Sequence, residues 1–247
     1  MAISIHRGNG HRQKGFQVDN ASGHQPGEHT FDKDYWERHW QESGETAPAA
    51  GPETAPEPAA NPYVVRETAD LAPGTALDAG CGAGAEALWL AARGWHVTGA
   101  DISAAALAQA AGRAPQQPSA GSVTWIEADL VQWEPQQKFD LVITSYAHPS
   151  IPQLAFYTRI SNWVAPGGTL LIVGHRHGPA ASGQDQAQGH DHDHGNRPPA
   201  EAQVTLADVV GTLDPAVWQI ETAEEQTRAL PGPGELLDVV VKAARRI

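Results

Sequence analysis

The stretch LDAGCGAGAEALWL (Leu77–Leu90) decides the fold. A short apolar segment, Thr75–Ala79, runs into glycines at three alternate positions, and an apolar helical pattern over Ala85–Arg93 follows. Glycine is required where φ is positive or where another group presses on the backbone. Strand, glycine turn and helix in this order form a ligand-binding corner. In open α/β sheets, ligands lie beyond the carboxyl ends of the strands, where the topology switches.

Working outward, strands are expected at Thr75–Ala79, Trp95–Asp101, Val123–Glu127, Phe139–Thr144, Thr169–Gly174, Val217–Glu224 and Leu236–Ala243. Helices fit at Pro62–Asp70, Ala85–Arg93, Ala104–Gly112, Ile151–Val164 and Leu206–Leu213, with Ser103 and Thr205 at N-cap positions and Gly94 as a helix-ending residue. The alternation predicts an α/β, doubly wound, Rossmann-like seven-stranded sheet. The turn Pro231–Gly234 is too short for a parallel crossover, so the last strand is expected antiparallel.

Before this body, residues 1–30 read as a disordered tail, 31–45 as a helix carrying Tyr35, Trp36, His39 and Trp40, and 46–60 as a Pro/Ala linker. Residues 61–247 form the main domain, interrupted by a His-rich loop at 175–201. The chain has 247 residues, enough for one domain with appendages. With 16 Lys+Arg against 29 Asp+Glu, a net charge of −13 disfavours nucleic acid as a partner. A single cysteine, Cys81, and the lack of any long apolar run point to a cytoplasmic protein without membrane contact.

The ligand at the turn is the next question. Gly80, Gly82 and Ala85 satisfy the dinucleotide fingerprint only weakly. Asp78 precedes the glycines, and Glu127-Ala128-Asp129-Leu130 ends the third strand. Carboxylates here repel a pyrophosphate and suit a ligand with a cationic amino acid head. An NAD- or FAD-dependent oxidoreductase therefore stands as the alternative, and a non-enzymatic cofactor- and metal-binding module as a second.

The same motif, with GADIS, EADL, FDLVIT and VAPGGTLLIVG in order behind it, resembles the class I S-adenosylmethionine-dependent methyltransferases over about Asn61–Arg246. The segment YWERHW followed by NPYVV resembles the bacterial small-molecule branch of tellurite-resistance and thiopurine methyltransferase type. The resemblance implies S-adenosyl-L-methionine as cofactor and a small-molecule methyl acceptor. It implies that Gly80, Gly82 and Gly84 admit the cofactor and that Asp78 holds its amino acid end. Asp101 would accept both ribose hydroxyls and Asp129 the adenine amine, with Ile102 and Leu130 as apolar walls.

The acceptor side follows the fourth strand. His148 is a general-base candidate because its ordinary pKa lies near neutrality, with pocket lining as the plain alternative. Tyr146 is expected beside the cofactor, packing rather than reacting. The aromatic face of the 31–45 helix either covers a sulfonium or simply docks on the sheet. The Asn-Pro-Pro-aromatic motif of base-modifying relatives is lacking after strand four. His190-Asp191-His192-Asp193-His194 attracts divalent metal by composition. An alternating tract in a mobile loop lacks fixed coordination geometry, so adventitious affinity and no designed metal site is expected.

Overall fold

The computed structural model describes residues 30–46, 60–113, 120–176, 202–229 and 235–247. Its elements are α1 (Lys33–Thr46), α2 (Pro62–Thr68), β1 (Thr75–Ala79), α3 (Ala85–Ala92), β2 (His96–Asp101), α4 (Ala104–Arg113), β3 (Ser122–Glu127) and β4 (Phe139–Ser145). They continue with α5 (Gln153–Ser161), β5 (Val164–Arg176), β6 (Gln203–Val204), α6 (Leu206–Gly211), β7 (Trp218–Ala229) and β8 (Glu235–Arg245). The strands form one sheet in the order β3-β2-β1-β4-β5-β8-β7. The first five are parallel, and β8 runs antiparallel to both β5 and β7. The expected architecture holds, with the two-residue β6 added along the end of β5.

The sheet is apolar on both faces because helices cover both, as a parallel sheet requires. One core layer gathers Leu77, Val142, Phe156, Tyr157, Leu170 and Ile172; the other gathers Val64, Leu90, Leu141, Ile143, Leu171 and Val173. Consecutive residues of β4 and β5 thus alternate between layers, as the period of two dictates.

Local signals fix the helix ends. Ser103 Oγ accepts from Ala106 N at 3.1 Å, and Thr205 Oγ1 accepts from Asp208 N at 3.1 Å. Gly94 ends the third helix with φ of 95°. Three elements differ most from expectation, one of them the strand expected at Val217–Glu224, which occupies Trp218–Ala229. The helix expected at Ile151–Val164 occupies only Gln153–Ser161, because Pro152 takes the extended N-cap conformation and the chain turns at Asn162. The strand expected at Thr169–Gly174 begins at Val164 and passes through Pro166-Gly167-Gly168, opposite a register shift in β4. Most of the tail, linker and His-rich loop lie outside the described residues; His175 and Arg176 belong to β5.

Candidate active site

The switch between β1 and β4 opens a cleft at the carboxyl edge of the sheet. The turn after β1 places Gly80, Gly82 and Gly84 at φ of 79°, 49° and 78°. Its backbone is tied to β2, since Gly80 N and Cys81 N both donate to Ala100 O. A Cβ on Gly80 would stand 2.3 Å from that of Ala147, and one on Gly82 would stand 2.8 Å from the Trp40 indole. Protein side chains therefore already demand bare backbone at both positions.

Asp101, at the end of β2, is held from two sides. Its Oδ2 accepts from Gly82 N at 2.8 Å and its Oδ1 from Ser103 N at 2.9 Å. Burial raises its pKa, against these backbone hydrogen bonds, which lower it. Asp78 is more extreme. Burial first, then the neighbouring Glu86 and Asp101 carboxylates, push its pKa well above the ordinary value. Its buried Oδ2 has no hydrogen-bond partner among the described residues. Asp129 is engaged by its own turn, accepting from Val131 N and Gln132 Nε2, both at 2.9 Å. Cys81 is 5% exposed, and burial raises its thiol pKa well above normal, so packing accounts for it.

Helix α1 lies across this cleft. Lys33 pairs with Glu127. Glu37 accepts from Ser103 Oγ at 2.8 Å, and Gln109 Nε2 donates to Trp40 O at 2.9 Å. On the other side Trp36 Nε1 donates to His148 O at 3.0 Å. The helix thus bridges α4 and the loop after β4.

That loop carries the second chemical element. Tyr146 has φ of 56°, an unusual conformation for a non-glycine residue that costs about 1–3 kcal/mol. It stacks on His175 with ring centroids 4.5 Å apart. His148 stands 5.4 Å from His175, 5.6 Å from Phe31 and 6.3 Å from Trp36. Burial lowers the His148 pKa to about 4, so its imidazole is neutral at pH 7. Its buried Nδ1 has no hydrogen-bond partner among the described residues.

Ten of the residues singled out from the sequence border one cavity of about 750 Å³: Asp78, Gly80, Gly82, Gly84, Asp101, Ile102, Asp129, Leu130, Tyr146 and His148. Phe31, Glu86, Ser145 and His175 border it too. Glu86 had a readable signal, an acid in the first turn after the glycines. Phe31 had none, since its position depends on how α1 docks. Among the described residues, no group of three or more His, Cys, Asp or Glu has metal-binding geometry.

The arrangement defines a doubly wound α/β protein whose ligand corner is acidic and whose adjoining chamber is aromatic. Comparison with known proteins places it further. Residues 76–168 match the family model described as a methyltransferase domain. The chain is 33% identical over 111 residues to probable thiol methyltransferase 2 of Arabidopsis thaliana, covering 43% of this chain and 49% of that protein. It is 32% identical to thiocyanate methyltransferase 1 of Brassica oleracea, covering 49% and 58% respectively. The chain thus spans about half the length of these curated relatives. The fold is similar to that of TehB from Haemophilus influenzae, with a TM-score of 0.58 and 15% identity over 76% of this chain and 62% of that one. Residues 76–168 thus match a methyltransferase domain, and the fold around them is similar to that of solved methyltransferases.

Proposed function

We propose that the protein transfers a methyl group from S-adenosyl-L-methionine to a small sulfur nucleophile in a reducing, cytoplasmic compartment. One observation carries this reading: a buried carboxylate oxygen without a hydrogen-bond partner opens into the same cavity as an aromatic and imidazole chamber. An orphaned acid among like charges fits a cationic ligand and opposes a pyrophosphate. The NAD or FAD alternative is disfavoured on that ground.

The residues fit the cofactor part by part. Asp78 faces its ammonium-bearing end. The Asp101 carboxylate, already fixed by two backbone donors, keeps lone pairs for a cis-diol. Asp129 accepts from an adenine amine, while Ile102 and Leu130 flank the ring. Gly80, Gly82 and Gly84 keep the turn bare for the approach. When bound, the cofactor supplies a methyl group on a positively charged sulfur.

The chain's own contribution is alignment, exclusion of water and electrostatics. Trp36, Trp40 and Tyr35 act from α1 as a lid, presenting aromatic faces that favour a cation. His148, held neutral, lines the acceptor chamber and is a weak base. Tyr146 packs against His175 and shapes the wall. The names of the thiol and thiocyanate methyltransferase relatives support a sulfur acceptor. So does the chamber, because polarizable sulfur interacts well with aromatic rings.

A methyl-donor consumption assay against thiols, thiocyanate, amines, phenols and metalloid oxyanions tests the reading. Methylated sulfur products are expected. Turnover confined to amines or phenols would overturn the sulfur assignment, and consumption with no acceptor would overturn the transferase assignment.

A further inference from the structure

The turn that carries Asp129 and Leu130 is held by a side chain from another element. Within the turn, Asp129 O accepts from Gln132 N at 2.9 Å and from Trp133 N at 2.7 Å. At its start, Ala128 N donates to Asp101 O at 2.8 Å. The carbonyls of Leu130 and Trp133 are met by Arg159 of α5, whose Nε donates to Leu130 O and whose Nη2 donates to Trp133 O, both at 2.8 Å. Nη2 also pairs with Glu134 at 2.9 Å, and Glu134 Oε2 accepts from Trp163 Nε1 at 2.8 Å. The guanidinium carbon lies 5.5 Å from the centre of the Trp163 ring, which meets Trp133 edge-on at 5.6 Å.

The chemistry of this clamp needs arginine. A planar fork reaches two carbonyls three residues apart at once, whereas a lysine offers a single point charge on a flexible stem. Leu130 is buried, so removing the donor leaves its carbonyl short of a partner where water reaches poorly. The same helix has a second tie to the site. Gln153 Nε2 donates to Ala147 O at 2.8 Å in the loop after β4, and Phe156 borders the cavity. Gln153, Phe156 and Arg159 recur at intervals of three and so neighbour one another along α5. One helix therefore fixes both the loop after β4 and the turn after β3.

We propose that Arg159 is a positioning residue for recognition of the adenine base: by holding the backbone of Leu130 and Trp133, it sets where the Asp129 carboxylate and the Leu130 wall stand. The proposal rests on the reading of Asp129 given above. Arg159 is not among the residues that border the cavity, so it acts through the turn. Each Asp129 oxygen accepts one bond from within the turn, from Val131 N and from Gln132 Nε2. The lone pairs left for an adenine amine are therefore aimed by the turn's own shape. A turn released from α5 keeps its acid and loses its aim.

Two measurements on the full chain test it, with Arg159→Met removing the fork and Arg159→Lys keeping the charge. The first follows amide hydrogen exchange in the cofactor-free proteins. Exchange at Val131, Gln132 and Trp133 should quicken in Arg159→Met, while the amides of β4 keep their wild-type rates. Unchanged exchange in the turn, or equal quickening of turn and β4 in both variants, would overturn the clamp. The second titrates each protein calorimetrically with S-adenosylhomocysteine and with S-inosylhomocysteine, in which a carbonyl replaces the exocyclic amine. Wild type should prefer the adenine form, Arg159→Met should lower that preference about tenfold, and Arg159→Lys should lower it less. Equal loss of affinity for both ligands, with the preference intact, would overturn the positioning role. A wild type that binds both ligands equally would defeat the Asp129 reading and the role in base recognition with it.

Discussion

Asp78 is where the fold and the ligand compete for one carboxyl group. Because burial and neighbouring acids raise its folded pKa, ionising it destabilises the folded protein as pH rises through that titration. The melting temperature of cofactor-free wild type should therefore fall over that range, and Asp78→Asn should flatten the fall, by about 2–4 °C per kcal/mol. The same substitution should abolish the rise of S-adenosylhomocysteine affinity with pH. Parallel melting curves for the two proteins would refute this account of Asp78. Asp101→Asn keeps the shape but weakens a charge-assisted pair, so affinity should drop at least about tenfold, ~1.4 kcal/mol. Calorimetric titration reads that directly, and unchanged affinity would remove Asp101 from the site. His148 has the opposite linkage. Its folded pKa is lowered from 6.5 to about 4, so it stabilises the fold above its unfolded pKa and that contribution is lost as pH falls toward 4. Acid melting of His148→Gln should show a shallower loss between pH 6.5 and about 4 than wild type.

Among the elements, α1 bears the clearest consequence. It is bound at α4 through Glu37 and Gln109 and at the β4 loop through Trp36. Trp40 covers Gly82, within the bare turn. If α1 is a lid, Trp40→Ala removes apolar cover worth about 1.5–3 kcal/mol when fully buried. Half-buried as it is, its loss should weaken S-adenosylhomocysteine binding about tenfold and speed dissociation in stopped-flow fluorescence. Unaltered dissociation would reduce α1 to a docked helix. The elements also show what local pattern reveals. β1 is bounded by Gly74 and Gly80, and its expected limits match those observed. β5 was legible only from Thr169, because Pro-Gly-Gly reads as a break while the strand continues through it with a bulge opposite. β6 carries two residues and no period at all.

At the scale of the whole molecule, topology gathers residues far apart in the chain at one sheet edge. That Asp78, Asp101 and Asp129 border the cleft was legible because each lies at a strand end with its own motif. The rest of the chamber was legible only in part, through Tyr146 and His148 after β4. Phe31 reaches it through the docking of α1. Four acids, Asp78, Glu86, Asp101 and Asp129, border a cavity suited to a cation.

The acidic corner is assigned to S-adenosylmethionine and not to a dinucleotide. Isothermal titration of the full chain with S-adenosylhomocysteine and, separately, with NADH tests it most directly. Saturable binding of one S-adenosylhomocysteine per chain is expected, with no heat of binding from NADH. Saturable NADH binding with none for S-adenosylhomocysteine would contradict it.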